Sequence, residues 1–187
     1  MSQSAKTAIG GMTAALSVVL MLPTVMGLWT YALPAFAGIL IMFTIIELDK
    51  KWATGIFVAV SLLSLILLPN KEAAVFYFCF FGNYPIIKCL LEGSKKMPRA
   101  LEYIIKFIIF NAEVLLAGFI MVKVFGMPLA ELLGTEGETA AWAEFALPIT
   151  LAVGNVTFLL FDKLLTMMVT IYLMKWQKRF RKMFPFK

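Results

Sequence analysis

Two apolar stretches of this chain carry side chains that could do chemistry. "IIFNAEVLLAGF" (Ile108 to Phe119) holds Asn111 and Glu113; "NVTFLLFDKLLTMMV" (Asn155 to Val169) holds Asp162 and Lys163. Read as helices, Lys106 and Glu113 lie seven residues apart and share a face. So do Asn155 and Asp162, with Thr166 extending the stripe. An unpaired carboxylate at the centre of a lipid-embedded helix costs roughly 3 kcal/mol on insertion scales. Such groups must therefore face the protein interior. Asn83 and Tyr84 stand in "GNYP" beside Pro85, whose ring disturbs a helix and frees backbone groups. The expectation is one polar pocket holding Asn83, Tyr84, Glu113, Asn155, Asp162 and Lys163. With both signs of charge it would suit a small polar or zwitterionic ligand with an apolar part. Lys163 projects about 100° away from Asp162 and so also reaches another neighbour. The competing expectation is that these groups, with Lys106, are ion pairs holding helices together.

Other chemistries are poorly supplied. The chain has no histidine, and its two cysteines, Cys79 and Cys89, fall in one apolar span. Ten residues apart on a helix, they would be about 15 Å from each other and cannot pair. A histidine-ligated metal and a histidine general base are excluded, which argues against a metalloenzyme or a triad hydrolase. No glycine-rich phosphate loop and no internal repeat appear. Acids alone offer proton chemistry without a nucleophile–base pair. The expectation is a non-enzyme without cofactor or metal.

What positions these residues is a membrane bundle. Hydrophobic residues make up 61% of the 187 and charged residues 15%. A soluble domain of this length could not hide so much apolar side chain, so lipid must serve as part of its solvent. A span takes about 20 apolar residues. Six are read: Thr7 to Met26, Leu33 to Leu48, Trp52 to Leu68, Ala73 to Leu91 with a kink at "GNYP", Leu101 to Phe125, and Pro148 to Trp176. One side collects Lys6, Lys50, Lys51, Lys88, Lys95, Lys96, Arg99 and the basic tail 175–187. The other has Lys71 and Lys123 and the acidic loop "GMPLAELLGTEGETAAWAE". The positive-inside rule then places both termini in the cytoplasm. The tail reads as a topology anchor near anionic headgroups, not a nucleic-acid site. The fold expected is an all-α integral membrane protein of six transmembrane helices, forming one domain over 1–187. Trp29, Tyr31 and Trp142 fall in outer-side loops, at headgroup depth or over a pocket.

The first span opens "AIGGMTAALSVVL". Ala8, Gly11 and Ala15 form one stripe of small residues, Gly10 and Ala14 another, and such stripes admit a second helix closely. In this opening, its size and its six spans, the chain resembles the substrate-binding (S) components of energy-coupling factor transporters. That resemblance implies an S-component-like bundle in a bacterial plasma membrane, capturing a vitamin or small nutrient in a pocket of its outer half. It also implies docking of the first helix, through an alanine-x-x-x-alanine pattern, on a coupling transmembrane subunit energised by separate ATPases. Gly11 and Ala15 match that pattern with glycine first; Ala8 is followed four residues on by Met12, a departure. Rod-shape-determining membrane proteins share the general fold, so a non-transport scaffold is the alternative.

Overall fold

The computed structural model describes residues 3–27, 29–93, 98–135 and 140–177, with backbone alone for 140–144. Every regular element among the described residues is helical. α1 is Gln3–Met21 and runs on as a 3₁₀ turn, Leu22–Met26, ended by Gly27 in the left-handed conformation. α2 is Ala32–Glu47, α3 Lys50–Leu67, α4 Lys71–Phe76 and α5 Tyr84–Glu92. α6 is Arg99–Lys123, α7 Leu129–Leu132 and α8 Ala140–Ile171. A π-helical segment, Tyr77–Phe81, joins α4 to α5, and another, Tyr172–Trp176, ends α8. Five helical runs are long and apolar enough to cross a membrane: Gln3–Met26, Lys50–Leu67, Lys71–Glu92, Arg99–Lys123 and Phe145–Trp176. α2 is equally apolar but has 16 residues, a length of about 24 Å.

Side-chain caps mark where α3 and α4 begin. Asp49 accepts the backbone N–H of Trp52, and Asn70 that of Ala73. Each satisfies an amide that the first turn leaves without an intrahelical partner. The Trp52 amide, and after it the nearby Lys6 ammonium, hold the Asp49 carboxyl below its ordinary range.

The Lys71–Glu92 run is not the single helix kinked at Pro85 that the sequence suggests. Pro85 lies in the first turn of α5, where a missing N–H costs nothing. The irregularity sits upstream, in the π-helical segment, where packing is close. A Cβ on Gly82 would lie 2.7 Å from both Phe57 Cδ2 and Tyr77 Cζ. On Gly38 of α2 it would lie 2.1 Å from the Phe81 carbonyl oxygen, so α2 and the π segment meet backbone to backbone. α8 likewise starts at Ala140, ahead of Pro148, and carries that proline inside it.

α2 is the hub. It packs on α1, α3, α4, the π segment, α5 and α8, and buries Ala37, Gly38, Ile41 and Met42. α6 lies against α4, the π segment, α5 and α8. Polar contacts tie the helix ends into two groups. At one end Lys6 pairs with Asp49 at 3.7 Å, Lys50 Nζ donates to the Cys89 carbonyl at 3.5 Å, and Gln177 Nε2 donates to Glu47 at 3.2 Å. At the other, Asn70 Nδ2 donates to the Thr24 carbonyl at 3.1 Å, and the Tyr31 hydroxyl donates to Glu72. Of the basic groups read as an inner cluster, Lys95, Lys96 and residues 178–187 lie outside the described residues.

Candidate functional site

α5 presents Tyr84, Lys88 and Glu92 at four-residue intervals, hence on one face. α6 opposes it with Glu102 and Lys106, and α8 with Asp162. The three faces close on one another as a chain of ion pairs. Lys88 Nζ is 2.6 Å from both Asp162 Oδ1 and Glu92 Oε1. Lys106 Nζ lies 2.7 Å from Glu102, 2.8 Å from Glu92 and 3.3 Å from Asp162. The Tyr84 hydroxyl donates to the same Asp162 oxygen. Both lysines are 1% exposed and Asp162 is 3% exposed. Buried charges are tolerable only when paired and hydrogen-bonded in this way.

The residues expected to form one pocket thus fall into three groups. Tyr84 and Asp162 belong to the ion-pair chain. Asn83 Nδ2 donates to Glu113 Oε1 at 3.0 Å, and Glu113 Oε2 has no partner among the described residues. Asn155 pairs with Asn111 through reciprocal amide hydrogen bonds of 2.9 and 3.1 Å. The reason is helical geometry. Glu113 lies two residues beyond Asn111, about 200° further round α6. When Asn111 meets α8, Glu113 faces the opposite way, toward Asn83. Asn155 and Asp162 share a face of α8 but sit about 10 Å apart along its axis. Lys163 is exposed and joins none of the three groups.

Sequence reasoning passed over Lys88, Glu92 and Glu102. Lys88, counted with the basic groups of the cytoplasmic side, is buried. The spacing Tyr84–Lys88–Glu92 and Glu102–Lys106 was the available signal, since groups four apart on a helix can meet.

Above the ion pairs lies a layer of aromatic rings. Tyr84 joins the two: its ring packs edge-on to Phe158 at 5.2 Å while its hydroxyl reaches Asp162. Phe110 and Phe158 stack at 4.7 Å, and Phe80 lies edge-on to Phe110 at 5.0 Å. A cavity of 260 Å³ opens among Phe76, Phe80, Phe81, Phe110, Phe158 and Phe161, with Thr150 and Thr157 of α8 on its wall. A second, of 310 Å³, lies between α6, α7 and α8 and shares Tyr31, Phe76 and Val114 with the first. Neither wall carries Asn83, Tyr84, Glu113, Asn155, Asp162 or Lys163.

Far from these, α1 and α3 flank a groove of 520 Å³ lined by Gly10, Gly11, Ala14, Gly55 and Ala59 among others. The two stripes of α1 do different things. A Cβ on Gly10 would meet Ile56 of α3 at 3.2 Å, whereas one on Gly11 would meet nothing within 4 Å. Ala8, Gly11 and Ala15 are all exposed. Comparison of the chain with family models, with curated proteins and with solved structures finds no match.

Proposed function

We propose that the chain is a membrane-embedded capture subunit for a small nutrient, with six crossings and both ends in the cytoplasm of a bacterial cell. The observation that carries this reading is the aromatic cavity between the π segment, α6 and α8. A pocket walled by rings, with a few hydroxyls, is the usual form of a small-molecule site. Beneath it the ion-pair chain ties α5, α6 and α8 together, and beside it the Asn111–Asn155 pair joins α6 to α8. Support for α2 as the sixth crossing comes from the end contacts. α2 begins at the level where α1 and α3 end and finishes where Lys6 and Lys50 lie. A 16-residue helix is short for the role, but Lys50 and Lys51 just beyond it can extend to the headgroups.

Nothing in the described residues supplies energy for transport, so separate ATPases and a coupling subunit are part of the proposal. The outward stripe of Ala8, Gly11 and Ala15 beside the α1–α3 groove is where such a subunit would dock, since small residues let helices approach closely. That stripe alone would serve a scaffold protein equally well; the cavity tips the balance. Native mass spectrometry of the protein purified from its membrane tests this. A bound small molecule is expected, lost in Phe158→Ala. A protein free of ligand under every extraction condition would leave the scaffold reading.

A further inference from the structure

The chemistry of the two cavities narrows what the site takes. We infer that its ligand is a monoanionic amphipath, an apolar ring or chain bearing one carboxylate-like group, with the anion held by Lys123. This rests on the proposed capture role and concerns the same site.

Among the described residues neither cavity has a carboxylate on its wall, and Lys123, in the second, is the one charged side chain on either. Deeper in the bundle Lys88 and Lys106 face three carboxylates, the amides of Asn111 and Asn155 face each other, and the Glu113 carboxyl turns toward Asn83 and lines neither cavity. Among the described residues a cationic ligand would therefore find rings but no counter-charge on either wall. Lys123 closes the last turn of α6 and makes no ion pair among the described residues. Carboxylates do lie nearby, but they are otherwise directed. Glu72 accepts from the Tyr31 hydroxyl, and Glu72 and Glu131 line a separate hollow that also contains Lys71. Phe76 and Lys123 line the same cavity, so one ligand can seat its body against the Phe76 ring and extend its head toward Lys123. An ammonium at the mouth of an apolar cleft attracts anions and orients them as they enter.

Two probes sharing a ring and differing in charge decide the matter: 2-naphthoate and 2-naphthylmethylammonium. Binding to the purified full-length protein is measured by isothermal titration calorimetry against micelle-only blanks. Naphthoate is expected to bind roughly tenfold more tightly than the ammonium, the scale of one charge-assisted contact. Lys123→Gln should erase that preference, while Lys123→Arg keeps it. Equal binding of the two probes, or a preference that survives Lys123→Gln, overturns the charge assignment and leaves the cavity as the capture site. Failure of both probes to bind, with Phe158→Ala also leaving the co-purified molecule in place, overturns the cavity itself.

Discussion

Two carboxyl groups in this bundle look alike in the sequence and stand in opposite circumstances. Asp162 has two ammonium groups and a phenol around one oxygen. Glu113 has one amide donor and a free oxygen. Replacing each by its amide separates the two. Asp162→Asn leaves two buried lysines short of a partner and should cost ~3–5 kcal/mol, near the lower figure because Glu92 and Glu102 remain. Glu113→Gln keeps the acceptor that Asn83 needs and buries a neutral group in place of a carboxyl, so stability should hold or rise. Thermal unfolding of the purified variants reads both; equal losses would mean that Glu113 has a charged partner after all. The sequence was legible here only in part. That Glu113, Asn155 and Asp162 face inward followed from the cost of exposing them to lipid. Which of them meet did not, because that depends on rotation and axial stagger between α6 and α8. The burial of Lys88 was hidden for a related reason: counting charges by membrane side says nothing of which lysines turn inward.

At the scale of elements, glycines report which helix faces are used. Gly38 lets α2 touch the π segment, and the room for a side chain there is blocked by a backbone oxygen, which cannot swing aside. Gly38→Ala should destabilise the protein by about 1–3 kcal/mol, as overpacking does. Gly11→Leu, facing open space, should leave unfolding temperature and ligand binding nearly unchanged while removing co-purification with a coupling subunit. If Gly11→Leu unfolds the protein, the stripe is internal and the docking proposal fails. Helix existence was readable from apolar runs, and α3 and α6 fall within a few residues of the expected spans. The π segment was not readable. Pro85 drew attention to the right neighbourhood, yet the distortion lies among tertiary contacts of Gly38, Phe57 and Gly82, which no local pattern announces.

For the whole molecule, the open matter is how the chain threads the bilayer, and two engineered cysteines decide it. With Cys79 and Cys89 replaced by alanine, Lys51→Cys should react with a membrane-impermeant maleimide only from the cytoplasmic face, and Thr135→Cys only from outside. Lys51→Cys labelled from outside would mean that α2 does not cross; a full reversal would invert the orientation. The charge asymmetry along the chain gave this topology a definite form before any coordinates, because lysine placement is a property of whole loops. The ion-pair chain adds a consequence for how the protein is made. Each buried lysine has a glutamate four residues away on its own helix, Lys88 with Glu92 and Lys106 with Glu102. α5 can therefore leave the ribosome and enter lipid as an electrically neutral piece, and the buried Lys106 of α6 enters beside its own counter-charge. Asp162, which among the described residues has no such companion on α8, is synthesised 74 residues after Lys88, when both cations are already waiting for it. The order of the genetic message thus matches the order in which charge can be brought into the membrane safely.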